Sequence, residues 1–118
     1  TNIYPEGCIR LLYKMKEDHV YIMNVFHSLH QEEFQSYLFP MIQGLFKMKI
    51  EEEAQEISIK ESDKEFIARF YSYCIVGLLI DWMKDDIKES PELLSDKMNE
   101  IMDGCIKRAL KRFEIHQN

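Results

Sequence analysis

Imidazole nitrogens together with a carboxylate are the set a protein offers a first-row transition metal. His27 and His30, with Glu33 nearby, supply those types, and His19 lies on the same helical face with Met23. The same face also reads as solvated polar surface beside the apolar stripe of Ile22, Val25 and Leu29, and that reading is the one expected, so no metal is predicted. His116 stands alone near the chain end. Cys8, Cys74 and Cys105 are odd in number, widely spaced, and set among Ile and Leu at helical spacing. They are expected to be buried reduced thiols rather than disulfide partners or metal ligands. Catalytic motifs are missing: there is no G-x-S-x-G, P-loop, G-x-G-x-x-G or H-E-x-x-H, and no Glu-x-x-His pair of the di-iron bundle kind. No catalytic residue and no cofactor is predicted.

The elements that must carry these residues are all helical. Residues 5–17 open with Pro5 and Glu6, which suit a first helical turn, and carry Ile9, Leu11, Leu12 and Met15. Asp18 is placed to cap a short second helix, 20–30. A long third helix, 32–56, repeats Phe34, Tyr37, Leu38, Met41, Ile42, Leu45 and Phe46, and Pro40 should kink or split it. The charged stretch 51–60 reads as a fraying end and loop. Ser62-x-x-Glu65 resembles a capping box opening a fourth helix to about residue 87. Ser90-Pro91-Glu92 restarts the chain into a fifth helix, 91–113, whose last turns carry Lys107, Arg108, Lys111 and Arg112. Five helices and no convincing strand predict an all-α domain.

Composition agrees. Gly 4 and Pro 3 in 118 residues are about half the usual share of roughly 12%, which argues against turn-rich β folds. A hydrophobic fraction of 46% with 31% charged residues argues against disorder. The net charge of −6 excludes nucleic-acid or anionic-membrane binding driven by charge alone. The strongly apolar run 73–80 is too short to span a bilayer, and the opening of the chain lacks the pattern of a secretory signal.

The last two helices hold more apolar surface than one neighbour can cover. At about 100° per residue, Phe66, Phe70, Tyr73, Gly77 and Ile80 form one stripe of the fourth helix. Ile67, Tyr71, Cys74, Ile75, Leu78 and Trp82 form another, roughly 130° away. The fifth helix has an apolar arc of about 180° built from Leu94, Met98, Ile101, Met102, Cys105 and Ala109. Two such helices predict an intermolecular four-helix bundle, hence a homodimer. Ile75, Leu78, Trp82, Met98, Ile101, Met102 and Cys105 are the expected interface. Gly77 within the fourth helix leaves room for another backbone or for a ligand.

The run FIARFYSYCIVGLL at 66–79, then Asp81-Trp82-Met83 and Glu89-Ser90-Pro91-Glu92-Leu93, resembles the C-terminal regulatory region of TetR-type transcriptional regulators. The resemblance extends over nearly the whole chain. It implies an effector-binding and dimerisation domain of a cytoplasmic bacterial regulator, with a small-molecule cavity walled by the central helices and no membrane partner. Met23, Phe26, Phe34, Tyr37, Met41, Phe70, Tyr73 and Cys74 could line that cavity, with Tyr37 and Tyr73 as polar handles. The lack of a buried-looking charge points to a neutral or weakly polar effector. No stretch corresponds to the helix-turn-helix such regulators use to reach DNA. Residues 1–118 are therefore expected to be one regulatory domain, reaching DNA only through a domain absent from this chain, with a stand-alone homologue as the other explanation. The alternative function is a helical interaction module that dimerises without a ligand.

Overall fold

A computed structural model describes residues 6–115. Among them the chain forms six α-helices and no strand: α1 Glu6–Glu17, α2 His19–Ser28, α3 Gln31–Glu53, α4 Glu61–Lys84, α5 Pro91–Met102 and α6 Cys105–Arg112. The all-α reading holds. Pro5 and His116 lie outside the described residues.

Each helix owes its place to an apolar face. In α3, Phe34, Leu38, Ile42, Phe46 and Ile50 recur every fourth residue and are all buried. In α4, Ile67, Ala68, Ser72, Ile75, Val76, Leu79, Ile80, Trp82 and Met83 are buried. These two long helices form an antiparallel pair at the centre. Phe39 meets Tyr73 at 4.5 Å between ring centroids, Phe46 stacks on Tyr71 at 5.8 Å, and Lys64 pairs with Glu51 at 3.2 Å. Cys8, Leu12 and Met15 of α1, Leu94, Met98 and Met102 of α5, and Ile106 and Leu110 of α6 complete one continuous core. Gly7 lets α1 approach α3 closely, since a Cβ there would stand 2.6 Å from Leu45 Cδ2. Hydroxyl burial in α4 is compensated: Ser72 donates to the Ala68 carbonyl at 2.6 Å.

The helix boundaries correct several sequence expectations. The fifth helix is two helices, because Gly104 adopts a left-handed φ of 72° and breaks the path between Met102 and Cys105. The third helix is not split at Pro40: it continues from Gln31 to Glu53 with the proline exposed inside it. The box expected at Ser62 and Glu65 does not form, because α4 already begins at Glu61 with Lys60 as its N-cap. Glu33 instead accepts from the His30 backbone N–H at 3.3 Å at the start of α3. Asp18 occupies the N-cap of α2, but its carboxylate pairs with Lys14 at 3.3 Å rather than capping. Ser90 caps α5 as expected, accepting from Leu93 N–H at 3.1 Å with Pro91 in the first turn.

Taken as a whole, α4 is long and apolar enough to cross a bilayer, although the run 73–80 by itself is not. Half of its most apolar window is buried within the protein, the pattern of a core helix.

Candidate functional site

Two features at the surface have the makings of a site: an outward apolar face on α4 with α5 and α6, and a groove between α3 and α4. Of the seven residues expected at a dimer interface, Ile75, Trp82, Met98 and Met102 are covered by the chain's own helices. The stripe they mark belongs to the protomer's core, in which α3 is the main neighbour of α4 and α6 a smaller one. The Trp82 indole N–H is satisfied there by the Glu89 carbonyl at 2.9 Å. Leu78, Ile101 and Cys105 remain at the surface, with Ile101 77% exposed. On α4 itself Phe66 and Phe70 are 51% and 57% exposed, and Cys74 and Gly77 face solvent. Tyr71 joins α4 to α6. Burial pushes its phenol above the ordinary range, the Cys105 and Cys74 thiols push it further, and Arg108 draws it down. Nothing of the protomer lies within 4 Å of a Cβ built at Gly77. Periodicity revealed both stripes; which residues the protomer covers depends on where α3 and α6 fall, and no residue spacing within α4 encodes that.

The residues expected to line an effector cavity do not converge. Met23 is buried, and Phe26 packs edge-on against the buried Phe34 at 5.5 Å, so these three belong to the core beneath α2. Tyr37 and Met41 point outward from α3, Phe70 and Cys74 outward from α4. The helical period places them at correct relative angles but on the side of each helix away from its partner. Tyr73 lines a concavity. Together with Glu32, Gln35, Ser36, Phe39 and Pro40 it walls a groove of about 420 Å³ between the first half of α3 and the middle of α4. Phe39 and Tyr73 meet there with their planes tilted by 41°. Phe39 and Glu32 were not singled out from the sequence, and Pro40 only as a helix breaker. The pairing that makes them a wall is long-range, with Pro40 the only visible mark.

His19 and His30 have partners within the fold. His19 Nε2 lies 3.0 Å from the Asp86 carbonyl and 3.1 Å from Asp86 Oδ1, and His30 caps α3. Among the described residues no three His, Cys, Asp or Glu side chains gather as a metal site. The three cysteines are free, and only Cys8 is buried, where the loss of solvent pushes its thiol up to about 12. The expectation of three buried thiols fails for Cys74 and Cys105, since both sit on the outward face just described.

Six helices in this order, a central antiparallel pair, a Trp at the end of the fourth helix and a Ser-Pro restart are the features to compare with known proteins. No curated protein and no solved structure shows significant similarity to the chain. Residues 4–104 match the family described as the transcriptional regulator C-terminal region, of TetR type. That match covers most of the chain, from before α1 to the α5–α6 break, and the chain belongs to this family of TetR-type regulator C-terminal regions.

Proposed function

We propose that this chain is the effector-binding and dimerisation region of its regulator, and that it changes the DNA affinity of a helix-turn-helix domain outside these residues. The observation that carries the reading is the outward face of α4, where Phe66, Phe70, Cys74 and Leu78 are exposed, together with the exposed Ile101 of α5. Two-fold pairing of this face makes an isologous four-helix bundle from α4 and α5–α6 of two copies. Gly77 lets the two backbones approach. The protomer's shape supports it. Its radius of gyration is 15.6 Å, against about 13 Å for a compact domain of this length, and it measures 56 × 27 × 16 Å. A thin slab of this kind gains from being doubled.

In the mechanism, an effector seated between α3 and α4 favours one setting of that pair. Because α4 also forms the dimer face, the setting alters the spacing of two attached DNA-reading heads. Neither step is enzymatic, and the site of action is the cytoplasm. Small-angle X-ray scattering tests the assembly: a scattering mass twice the chain's 14.2 kDa supports it, and a mass of one chain at tens of micromolar overturns it. The exposure of Tyr37, Met41 and Met48 on α3 favours a second reading, a helical interaction module without a small ligand.

A further inference from the structure

We infer that the outer face of α6 docks an acidic peptide segment of a partner protein, held by Lys107, Arg108, Lys111 and Arg112. The inference does not depend on the effector reading, and α6 lies beyond residues 4–104, which match the family. At about 100° per residue these four side chains and Gly104 share one arc of the helix. All are exposed, while Ile106 and Leu110 on the other side are buried. Local electrostatics does not account for the arrangement. Lys111 and Arg112 stand in the last turn, where the helix dipole favours positive charge. Lys107 and Arg108 stand in the first turn, where the dipole opposes it, and no acidic residue is there to offset them. Lys107 with Lys111, and Arg108 with Arg112, are like charges four residues apart, a spacing that destabilises a helix. A helix of only eight residues has little stability of its own to set against that repulsion.

The rest of the fold compensates little. Lys107 reaches Glu53 at 3.9 Å, while Arg108, Lys111 and Arg112 have no carboxylate within 4 Å among the described residues. Elsewhere Lys14, Lys49, Lys64 and Lys97 each pair with a nearby acid. The four basic side chains and Gly104 wall a shallow hollow of about 440 Å³. Lysine and arginine side chains only donate hydrogen bonds, so the occupant must present acceptors and negative charge. Register chooses among anions. Along the axis, Lys107 to Lys111 and Arg108 to Arg112 each advance about 6 Å. An extended chain sets same-side residues about 6.6 Å apart. Glu or Asp at alternate positions therefore meets successive basic pairs, whereas a free phosphate reaches one. Duplex DNA and anionic bilayers extend far beyond the roughly two turns of α6 and meet the repulsion of a chain with net charge −6. A short acidic segment stays within the stripe.

Fluorescence anisotropy of the whole chain with a labelled octapeptide of alternating Glu and Ser tests this. Saturable binding is expected at low ionic strength, weakened about tenfold at about 0.5 M salt, with the matching Gln–Ser octapeptide undetectable. Arg108→Gln combined with Arg112→Gln should weaken binding about tenfold, and Lys107→Gln with Lys111→Gln by a similar factor. Lys84→Gln with Lys88→Gln removes the same charge elsewhere and should leave binding within about twofold of wild type. All six side chains are exposed, so the three double variants should fold, which far-ultraviolet circular dichroism checks. No saturable binding, or equal weakening by all three double variants, overturns the proposal. Tighter binding of duplex DNA or of phosphatidylglycerol vesicles than of the Glu–Ser peptide also overturns it, and gives the stripe to nucleic acid or to a membrane surface.

Discussion

The Lys16 ammonium donates to the Ile87 carbonyl at 2.6 Å, tying the end of α1 to the turn that follows α4. That turn is unusual. Ile87 N–H bonds the Trp82 carbonyl at 2.9 Å and Asp86 N–H bonds the Met83 carbonyl at 3.0 Å, the pattern of a Schellman motif. Its left-handed positions hold Asp86 at φ 60° and Ile87 at φ 54°, where glycine is usual and a β-branched residue is rare. Ile87 stays because its side chain is fully buried, and Lys16 and His19 hold the turn from the α1–α2 corner. Lys16→Met should lower stability by about 1.5 kcal/mol, the low end of the range for a hydrogen bond from a charged donor, because Lys16 is largely exposed. Asp86→Gly should raise it by up to ~1 kcal/mol, since relief of the left-handed strain outweighs an exposed contact to His19. Urea denaturation of both variants checks the pair. Equal stability of Lys16→Met and wild type would show the tie to be idle.

Gly77 gives a prediction whose sign depends on assembly. Within the protomer its Cβ position is open, so Gly77→Ala should stabilise α4 by about 1 kcal/mol through helix propensity. At a close two-fold backbone approach the same methyl group intrudes. The expected outcome is a variant with a weaker dimer and an unharmed or firmer monomer, read from thermal midpoints measured across a hundredfold range of concentration. A midpoint raised at every concentration would mean that no second backbone sits against Gly77.

The cysteines separate by environment. Cys74 and Cys105 should react readily with a disulfide reagent in the dissociated protomer and more slowly in the dimer, whose face they share, and Cys8 only on unfolding, because burial keeps it protonated. The raised thiol also sets a pH dependence. The unfolded chain gives up this proton near the ordinary value of 9.0, the folded chain near 12. Cys8 therefore contributes its full share of stability below pH 9, and that share is lost as pH rises from 9 toward 12, by up to about 1.4 kcal/mol per unit. Stability measured between pH 8 and 10.5 should fall more steeply for wild type than for Cys8→Ala. Tyr71 titrates alike in both, so parallel slopes would refute the assignment to Cys8.

Much of the fold was legible because the apolar periods are long and regular. The four-residue repeat from Phe34 to Ile50 and the Ser90-Pro91 restart name their helices outright. What escaped was local backbone choice and long-range placement. Gly104 was hidden inside an uninterrupted apolar arc, and a helical period does not reveal a single left-handed residue. Lys16, Asp86 and Ile87 form their turn across α1 and α4, so no window of sequence contains it. For the candidate site, the two stripes of α4 were visible, but the fold splits each: Ile75 and Trp82 are buried while Cys74 and Leu78 of the same stripe are exposed, and Phe66 and Phe70 are exposed while Ile80 of theirs is buried. Tyr73 reached the groove, whereas Phe39 and Glu32 become its wall only when α3 folds back on α4.

Sedimentation equilibrium tests the central claim, a dimer through the outward face of α4 with α5–α6. Wild type should be a dimer at tens of micromolar. Leu78→Glu combined with Ile101→Glu places two charges on that face at residues 42% and 77% exposed in the protomer, so the fold should survive while the dimer is lost. Tyr37→Glu, on the opposite flank of α3, should dimerise like wild type. A wild type that remains monomeric, or a double variant that dimerises as well as wild type, contradicts the account.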